Sequence, residues 1–111
     1  MKIPSTYRFA DKKMKEAYYQ LEYGNNQEQE LFKFIKEALI NIEENAFCGI
    51  QLPKRLIPKS YAQKYGIGNL WKYNLPQGWR LLYSIAREEI IVVCLIIAWY
   101  NHKEYERIFK Y

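Results

Sequence analysis

The sequence predicts an α+β fold in which two N-terminal helices pack on one face of a small twisted antiparallel sheet. Apolar residues recur at helical spacing up to residue 44, whereas after residue 69 they alternate or run without interruption, as they do in strands. Helices grouped ahead of a strand meander favour a two-layer packing. The 111 residues, 50% of them hydrophobic, are expected to form one domain with one core over residues 1–111.

The N-terminal part is expected to contain one short strand and two helices. Polar and aromatic residues alternate over 6–9, and Asp11 can cap a helix over residues 11–23. After Gly24, Asn26 and Gln29 have the spacing of a capping box, which predicts the start of a second helix. Apolar stripes support the two helices at Met14, Ala17, Tyr18 and Leu21, and at Leu31, Phe34, Ile35, Ala38, Leu39 and Ile42.

The middle of the chain, residues 45–68, contains prolines and glycines without a sustained period. It is therefore predicted to be mostly loop, with one helical turn near residues 60–65. A loop this long in a small domain tends to be functional or mobile.

The C-terminal part is predicted to be a three-stranded meander followed by a short helix. The predicted order of elements for the whole chain is therefore β-α-α-β-β-β with a short C-terminal helix. Residues 70–75 and 79–85 flank Pro76-Gln77-Gly78 and predict a β-hairpin. Alternation places Arg80 on the face opposite Trp79 and Leu81. A turn is expected over 86–89, a central strand covered on both faces over 90–98, and a helix over 102–109.

Charge is distributed unevenly along the chain, whose net charge is +5. The segment from Asn45 to Arg87 contains seven Lys and Arg residues and no Asp or Glu, whereas the two flanking segments are nearly balanced. A segment of one sign favours a polyanionic ligand such as RNA, because nearby carboxylates would offset each phosphate contact. The alternative is a basic surface that only aids solubility.

Composition excludes several other classes. We expect a cytoplasmic protein, since neither a secretory signal nor an apolar run of about 20 residues is present. Two cysteines and one histidine do not form a disulfide framework or a metal-binding spacing, so Cys48 and Cys94 are expected to be packing residues and no cofactor or metal is expected.

Three segments resemble the RelE/ParE superfamily of toxins, and in particular its archaeal members. They are ENAFCGI with PKRLIPK at residues 44–59, NLWKYNLP running into GWRLLY at residues 69–83, and HKEYER at residues 102–107. The resemblance implies a toxin of a type II toxin-antitoxin system, with an antitoxin protein as partner. In the RelE-like branch it also implies ribosome-dependent cleavage of messenger RNA, and in the ParE-like branch inhibition of DNA gyrase without catalysis.

Metal-free RNA cleavage by the ribose 2′-OH needs proton transfer and cations around the phosphorus. Arg80 is the first candidate, because a guanidinium can hold two phosphate oxygens. His102 is the only histidine and the natural proton-transfer group, and Tyr105 lies one turn further on, where it can orient RNA, stack on a base or transfer a proton. The residues expected to hold the RNA backbone are Lys54, Arg55, Lys59 and Lys72.

Each candidate also has a structural interpretation. Arg80 can lie on a solvated strand face paired with Glu88 or Glu89, His102 can be a helix cap, and Tyr105 can be a core contact. The lysines can be solvated. Trp71 and Tyr73 can stack on bases but more often pack on the sheet in a hairpin.

Three functions therefore remain open from the sequence. The first is a ribosome-dependent endoribonuclease toxin, the second is a ParE-like gyrase inhibitor, and the third is a toxin-fold protein that has lost its activity and binds an antitoxin or nucleic acid.

Overall fold

The computed structural model describes residues 2–88 and 91–109, and it confirms the α+β fold class. Helices and strands lie along the described chain in nearly the predicted order. They are β1 (Thr6–Phe9), α1 (Lys12–Leu21), α2 (Asn26–Glu44), β2 (Ile50–Gln51), α3 (Lys59–Tyr65), β3 (Trp71–Asn74), β4 (Arg80–Glu88), β5 (Ile91–Tyr100) and α4 (His102–Ile108).

The strands form one sheet in the order β1-β5-β4-β3-β2. The meander of β3, β4 and β5 is antiparallel, as predicted. Strand β5, predicted to be central, is an interior strand between β1 and β4, while the middle strand of the five is β4. The first strand instead adds to β5 in parallel, so the sheet is mixed rather than purely antiparallel. The two-residue strand β2, which falls in the predicted loop, pairs with β3 at the other edge.

Local sequence signals explain most element boundaries. The Asp11 side chain accepts a hydrogen bond from the Met14 backbone N–H, so Asp11 caps α1 as predicted. The cap of α2 is Asn25 and not Asn26, because Asn25 and Glu28 exchange both hydrogen bonds of a capping box.

The turn expected over residues 86–89 does not begin at Ala86. Strand β4 continues through Ala86 to Glu88, each residue paired with β5. Glu89 and Ile90, which the sequence assigned to that turn and to the start of the central strand, lie outside the described residues.

The core is divided between the two faces of the sheet. The helix-pair face, covered by α1 and α2, buries one cluster, and the α4 face buries another. In α2 the buried aromatic residue is Phe32, while the predicted Phe34 is only partly buried. Buried members on the helix-pair face include Tyr18, Ile35, Leu39, Leu81, Tyr83 and Ile96, and those on the α4 face include Leu52, Leu70, Leu82, Ile97, Tyr105 and Phe109.

The α4 face is covered by α3 and α4. Tyr61 of α3 packs against this cluster, and its hydroxyl contacts the hydroxyl of Tyr100 on β5. A bulge between β4 and β5 pairs Leu82 with Ala98 but Tyr83 with Ile96. Two successive β5 residues, Ile97 and Ala98, therefore belong to the α4 face and widen the apolar base beneath α4.

Candidate nucleic-acid interface

The hairpin turn between β3 and β4 fixes the position of Arg80. Gln77 and Gly78 both adopt positive φ, 61° and 80°, and the chain reverses direction there. Nη1 of Arg80 donates hydrogen bonds to the carbonyl oxygens of Gly78, at 2.7 Å, and of Trp79, at 3.3 Å. The guanidinium is therefore held by the backbone of its own turn, on the face opposite Leu81 as the strand alternation predicted.

One donor of this guanidinium remains unused. Nε of Arg80 is buried and has no hydrogen-bond partner among the described residues. A buried donor without a partner is costly, and it commonly indicates a water or an anion at that point. Glu88 and Glu89 were the alternative partners expected for Arg80. A carboxylate oxygen of Glu88 instead lies 3.4 Å from Nη2 of Arg8, and Glu89 lies outside the described residues.

Tyr105 brings two cations together. The ammonium nitrogen of Lys72 lies 5.3 Å from the centre of the Tyr105 ring, and the guanidinium carbon of Arg80 lies 5.5 Å from it. Both distances are within the range of a cation–π contact. Two positive side chains that share one ring make a favourable position for an anion.

The same tyrosine is part of the core. Its ring stacks on Phe109 at 4.8 Å between centroids, and the residue is only 2% exposed. Helix α4 holds it there, because Asn101 and Glu104 form a capping box at the start of the helix. The core-contact interpretation of Tyr105 is therefore what the structure shows, and no base has access to this ring for stacking.

His102 lies beside the hairpin turn. A Cβ atom placed on Gly78 would be 3.3 Å from the Cβ of His102, so the two backbones approach closely. The imidazole is exposed, and its Nε2 lies 2.8 Å from a carboxylate oxygen of Glu106 one turn along α4. The structure thus gathers Lys72, Arg80, His102 and Tyr105 around the end of the hairpin.

The three other cations lie in a separate segment. Lys54 and Arg55 form an exposed 3-10 turn, and Lys59 is the exposed first residue of α3. This segment is anchored to the α4 face through Leu52 and Ile57. No contact among the described residues joins these three cations to Arg80, so they share its side of the sheet without being part of the cluster.

The aromatic residues of β3 lie on the other side of the sheet. Trp71 stacks on Phe47 at 5.4 Å, and the hydroxyl of Tyr73 accepts a hydrogen bond from Asn41. Both belong to the helix-pair face, away from Arg80. Their packing interpretation is the one the structure supports.

The sequence predicted only that Gly78 is a turn residue. In the structure its carbonyl oxygen accepts a hydrogen bond from Arg80, and the absence of a side chain at Gly78 leaves room for His102. The signal available in the sequence was the Pro76-Gln77-Gly78 turn, which ends two residues before Arg80. It indicates a hairpin, but it does not reveal that the turn backbone is the anchor of the guanidinium.

No protein-family model, no curated protein and no solved structure matches this chain. Within residues 2–88 and 91–109, no three His, Cys, Asp or Glu side chains are grouped as metal ligands would be. None of the helices described is both long and apolar enough to cross a bilayer. The function proposed for the chain therefore depends on the geometry of the site.

Proposed function

We propose that this chain is a cytoplasmic toxin of the RelE/ParE superfamily that binds messenger RNA on the ribosome and cleaves it. One observation carries the proposal. Lys72 and Arg80 converge on Tyr105 next to His102, the only histidine, and both cations come from the segment without Asp or Glu. The antitoxin partner belongs to the same proposal and is supported by the sequence resemblance.

The cations supply the electrostatic part of the reaction. In this proposal the ribose 2′ oxygen attacks the adjacent phosphorus and the bond to the 5′ oxygen breaks. The products are a 2′,3′-cyclic phosphate and a free 5′ hydroxyl, whose proton comes from solvent water. Negative charge develops on the phosphoryl oxygens, and Arg80 with Lys72 stabilises it from fixed positions.

His102 supplies proton transfer. Its Nε2 donates to Glu106 in the tautomer that this contact favours, which leaves Nδ1 as the acceptor for the 2′ proton. Glu106 thereby orients the imidazole. Tyr105 is too buried to reach a substrate directly, and its part is to hold the two cations in place.

The experiment compares inducible expression of the wild type with Arg80→Ala and Lys72→Ala. Growth is followed, and cleaved messages are detected by mapping new 5′ ends. Arg87→Ala is the matched control, because Arg87 is an exposed arginine near the other end of the same strand. We expect the wild type and Arg87→Ala to arrest growth and cleave messages, and Arg80→Ala to reduce cleavage by about 10²-fold or more.

Three results would reject the proposal. Undiminished cleavage by a folded Arg80→Ala variant would exclude this site. Growth arrest with intact messages and stalled gyrase complexes would instead establish the ParE-like function. Harmless expression of the folded wild type, in cells that lack an antitoxin, would indicate a binding module without activity.

A further inference from the structure

The turn between β3 and β4 departs from the usual residue preference of its type. Pro76 to Trp79 form a four-residue turn, which is closed by a hydrogen bond from the Trp79 N–H to the Pro76 carbonyl. Its two central residues, Gln77 and Gly78, have φ of 61° and 80°, as a type I′ turn requires. Asparagine, aspartate or glycine normally occupies the first central position, because most side chains are strained at positive φ. Gln77 is the only residue other than glycine with positive φ in the described part of the chain.

A contact with α2 accompanies this strained residue. Nε2 of Gln77 donates a hydrogen bond of 2.8 Å to Oε1 of Glu30, an exposed residue of α2. Leu75 and Trp79, on either side of the turn, pack in the core of the helix-pair face. A strained backbone persists only where its surroundings hold it, and such residues concentrate at functional sites. The side chain of Gln77 is therefore one of the groups that hold the turn against α2.

The conformation of this turn determines where the guanidinium of Arg80 lies. Nη1 of Arg80 donates to the carbonyl oxygens of Gly78 and Trp79, the two residues that follow Gln77. The direction of these carbonyl groups depends on the backbone dihedrals of the turn, so a change at Gln77 moves the acceptors of Arg80. A series of contacts thus leads from Glu30 through Gln77 and the turn backbone to Arg80, and it connects the helix-pair face to the site on the opposite face.

We propose that Gln77 is a positioning residue for Arg80, and that its hydrogen bond to Glu30 aims the Gly78 carbonyl at the guanidinium. The position of Arg80 can be measured without any substrate. The effect on RNA cleavage rests on the function proposed above, because it requires Arg80 to stabilise the phosphoryl oxygens. In such a site a displacement of about one ångström lowers the rate by about 10²-fold.

Variants at both residues test the hydrogen bond. Gln77→Asn suits positive φ better than glutamine, but its side chain is one methylene shorter and should not reach Glu30. At the other end, Glu30→Ala removes the acceptor, whereas Glu30→Gln keeps a carbonyl oxygen that can accept the same bond. Glu37→Ala, at another exposed position of α2, is the matched control.

The first readout is the solvent exchange of the Arg80 Nε–H group, followed by NMR in the full chain without RNA. This nitrogen is buried, so its proton should exchange slowly in the wild type. We expect Gln77→Asn and Glu30→Ala to raise the exchange rate by about tenfold, the strength of one hydrogen bond. Glu30→Gln and Glu37→Ala should leave it unchanged. The denaturation midpoint of Gln77→Asn should not fall, because asparagine adopts positive φ with less strain.

The second readout separates kcat from KM for RNA cleavage. Displacement of Arg80 should lower kcat by about tenfold in Gln77→Asn and Glu30→Ala, with little change in KM. Glu30→Gln should keep the wild-type kcat. A purely structural contact would instead lower the denaturation midpoint and leave kcat unchanged.

Three results would overturn the proposal. The first is an Arg80 Nε–H exchange rate that is the same in Gln77→Asn, Glu30→Ala and the wild type. The second is an equal rise in Glu30→Gln and Glu30→Ala, because the acceptor oxygen would then not matter. The third is faster exchange with undiminished kcat in a protein that cleaves RNA. If the wild type does not cleave RNA, the proposed function fails, while the exchange rates still decide whether Gln77 positions Arg80.

Discussion

The guanidinium carbon of Arg80 lies 5.5 Å from the centre of the Tyr105 ring, and Tyr105 is almost completely buried. A cation held over an aromatic ring in this way gains roughly 0.5–2 kcal/mol, depending on its exposure to water. The contact connects β4 to α4, which are separate in sequence. It also assigns Tyr105 a positioning role, since the ring faces the protein core and the cations.

This relationship predicts different outcomes for two substitutions of Tyr105. Tyr105→Phe keeps the ring and its stacking on Phe109, so cleavage of RNA should stay within about threefold of wild type, with a loss of about 1 kcal/mol in the free energy of unfolding. Tyr105→Leu removes the ring and should lower both cleavage and RNA affinity by about tenfold, the strength of a cation–π contact. Cleavage assays and denaturant unfolding measure the two effects. If Tyr105→Phe were as inactive as Arg80→Ala, the phenol itself would take part in the reaction.

His102→Ala should separate activity from stability. The side chain is 59% exposed and its contact with Glu106 is an exposed pair within one helix, so we expect the free energy of unfolding to change by less than about 0.5 kcal/mol. Cleavage should fall by about 10²-fold, the usual contribution of proton transfer by a side chain. Lys103→Ala, at the next exposed position, is the control. Unchanged cleavage by His102→Ala would remove the histidine from the site.

Much of the fold could be predicted because the signals are local. Strand alternation depends only on neighbouring residues, so the face of Arg80 followed directly from the position of the hairpin turn. The periodicity of α2 likewise predicted which side of the helix is buried. It placed Phe34 in the apolar stripe and left out Phe32, whereas in the structure Phe32 is buried against the ring of Tyr18 and Phe34 is only partly buried.

Other features depend on contacts between distant segments. The parallel pairing of β1 with β5 joins residues about 87 positions apart, such as Thr6 and Val93, and no local pattern encodes the direction of pairing. The burial of the Tyr105 side chain could not be predicted from the sequence for the same reason. Its spacing suits a core contact or an exposed site equally, and only the packing of α4 on β5 decides between them.

Gly49 should not tolerate a side chain. A Cβ atom at this position would lie 2.6 Å from the backbone oxygen of Lys72 and 2.7 Å from the hydroxyl of Tyr83, which accepts a hydrogen bond from the Gly49 N–H. We expect Gly49→Ala to lower the free energy of unfolding by about 1–3 kcal/mol. The control is Gly68→Ala, since nothing lies within 4 Å of a Cβ there. Equal denaturation midpoints for the two variants would contradict this packing.

Buried tyrosines should make the protein unstable at high pH. Burial raises the pKa of the Tyr18 and Tyr83 phenols above the ordinary value of about 10, and burial likewise raises the pKa of Tyr61 in α3. Above about pH 10 the unfolded chain therefore loses phenol protons that the folded chain keeps. Ionisation then favours the unfolded state, and the free energy of unfolding falls by up to about 1.4 kcal/mol per pH unit for each such phenol until its folded pKa is reached.

The contribution of a single phenol can be measured with Tyr83→Phe. This variant should be less stable at neutral pH, because the Tyr83 hydroxyl donates to the Ala46 carbonyl inside the core. Its stability should nevertheless decline less steeply above about pH 10, by up to about 1.4 kcal/mol per pH unit, because one buried ionisable group is gone. Denaturant unfolding across the alkaline range tests this, with Tyr23→Phe as the control at a largely exposed position. An unchanged slope in Tyr83→Phe would mean that this phenol ionises in the folded protein as readily as in the unfolded chain.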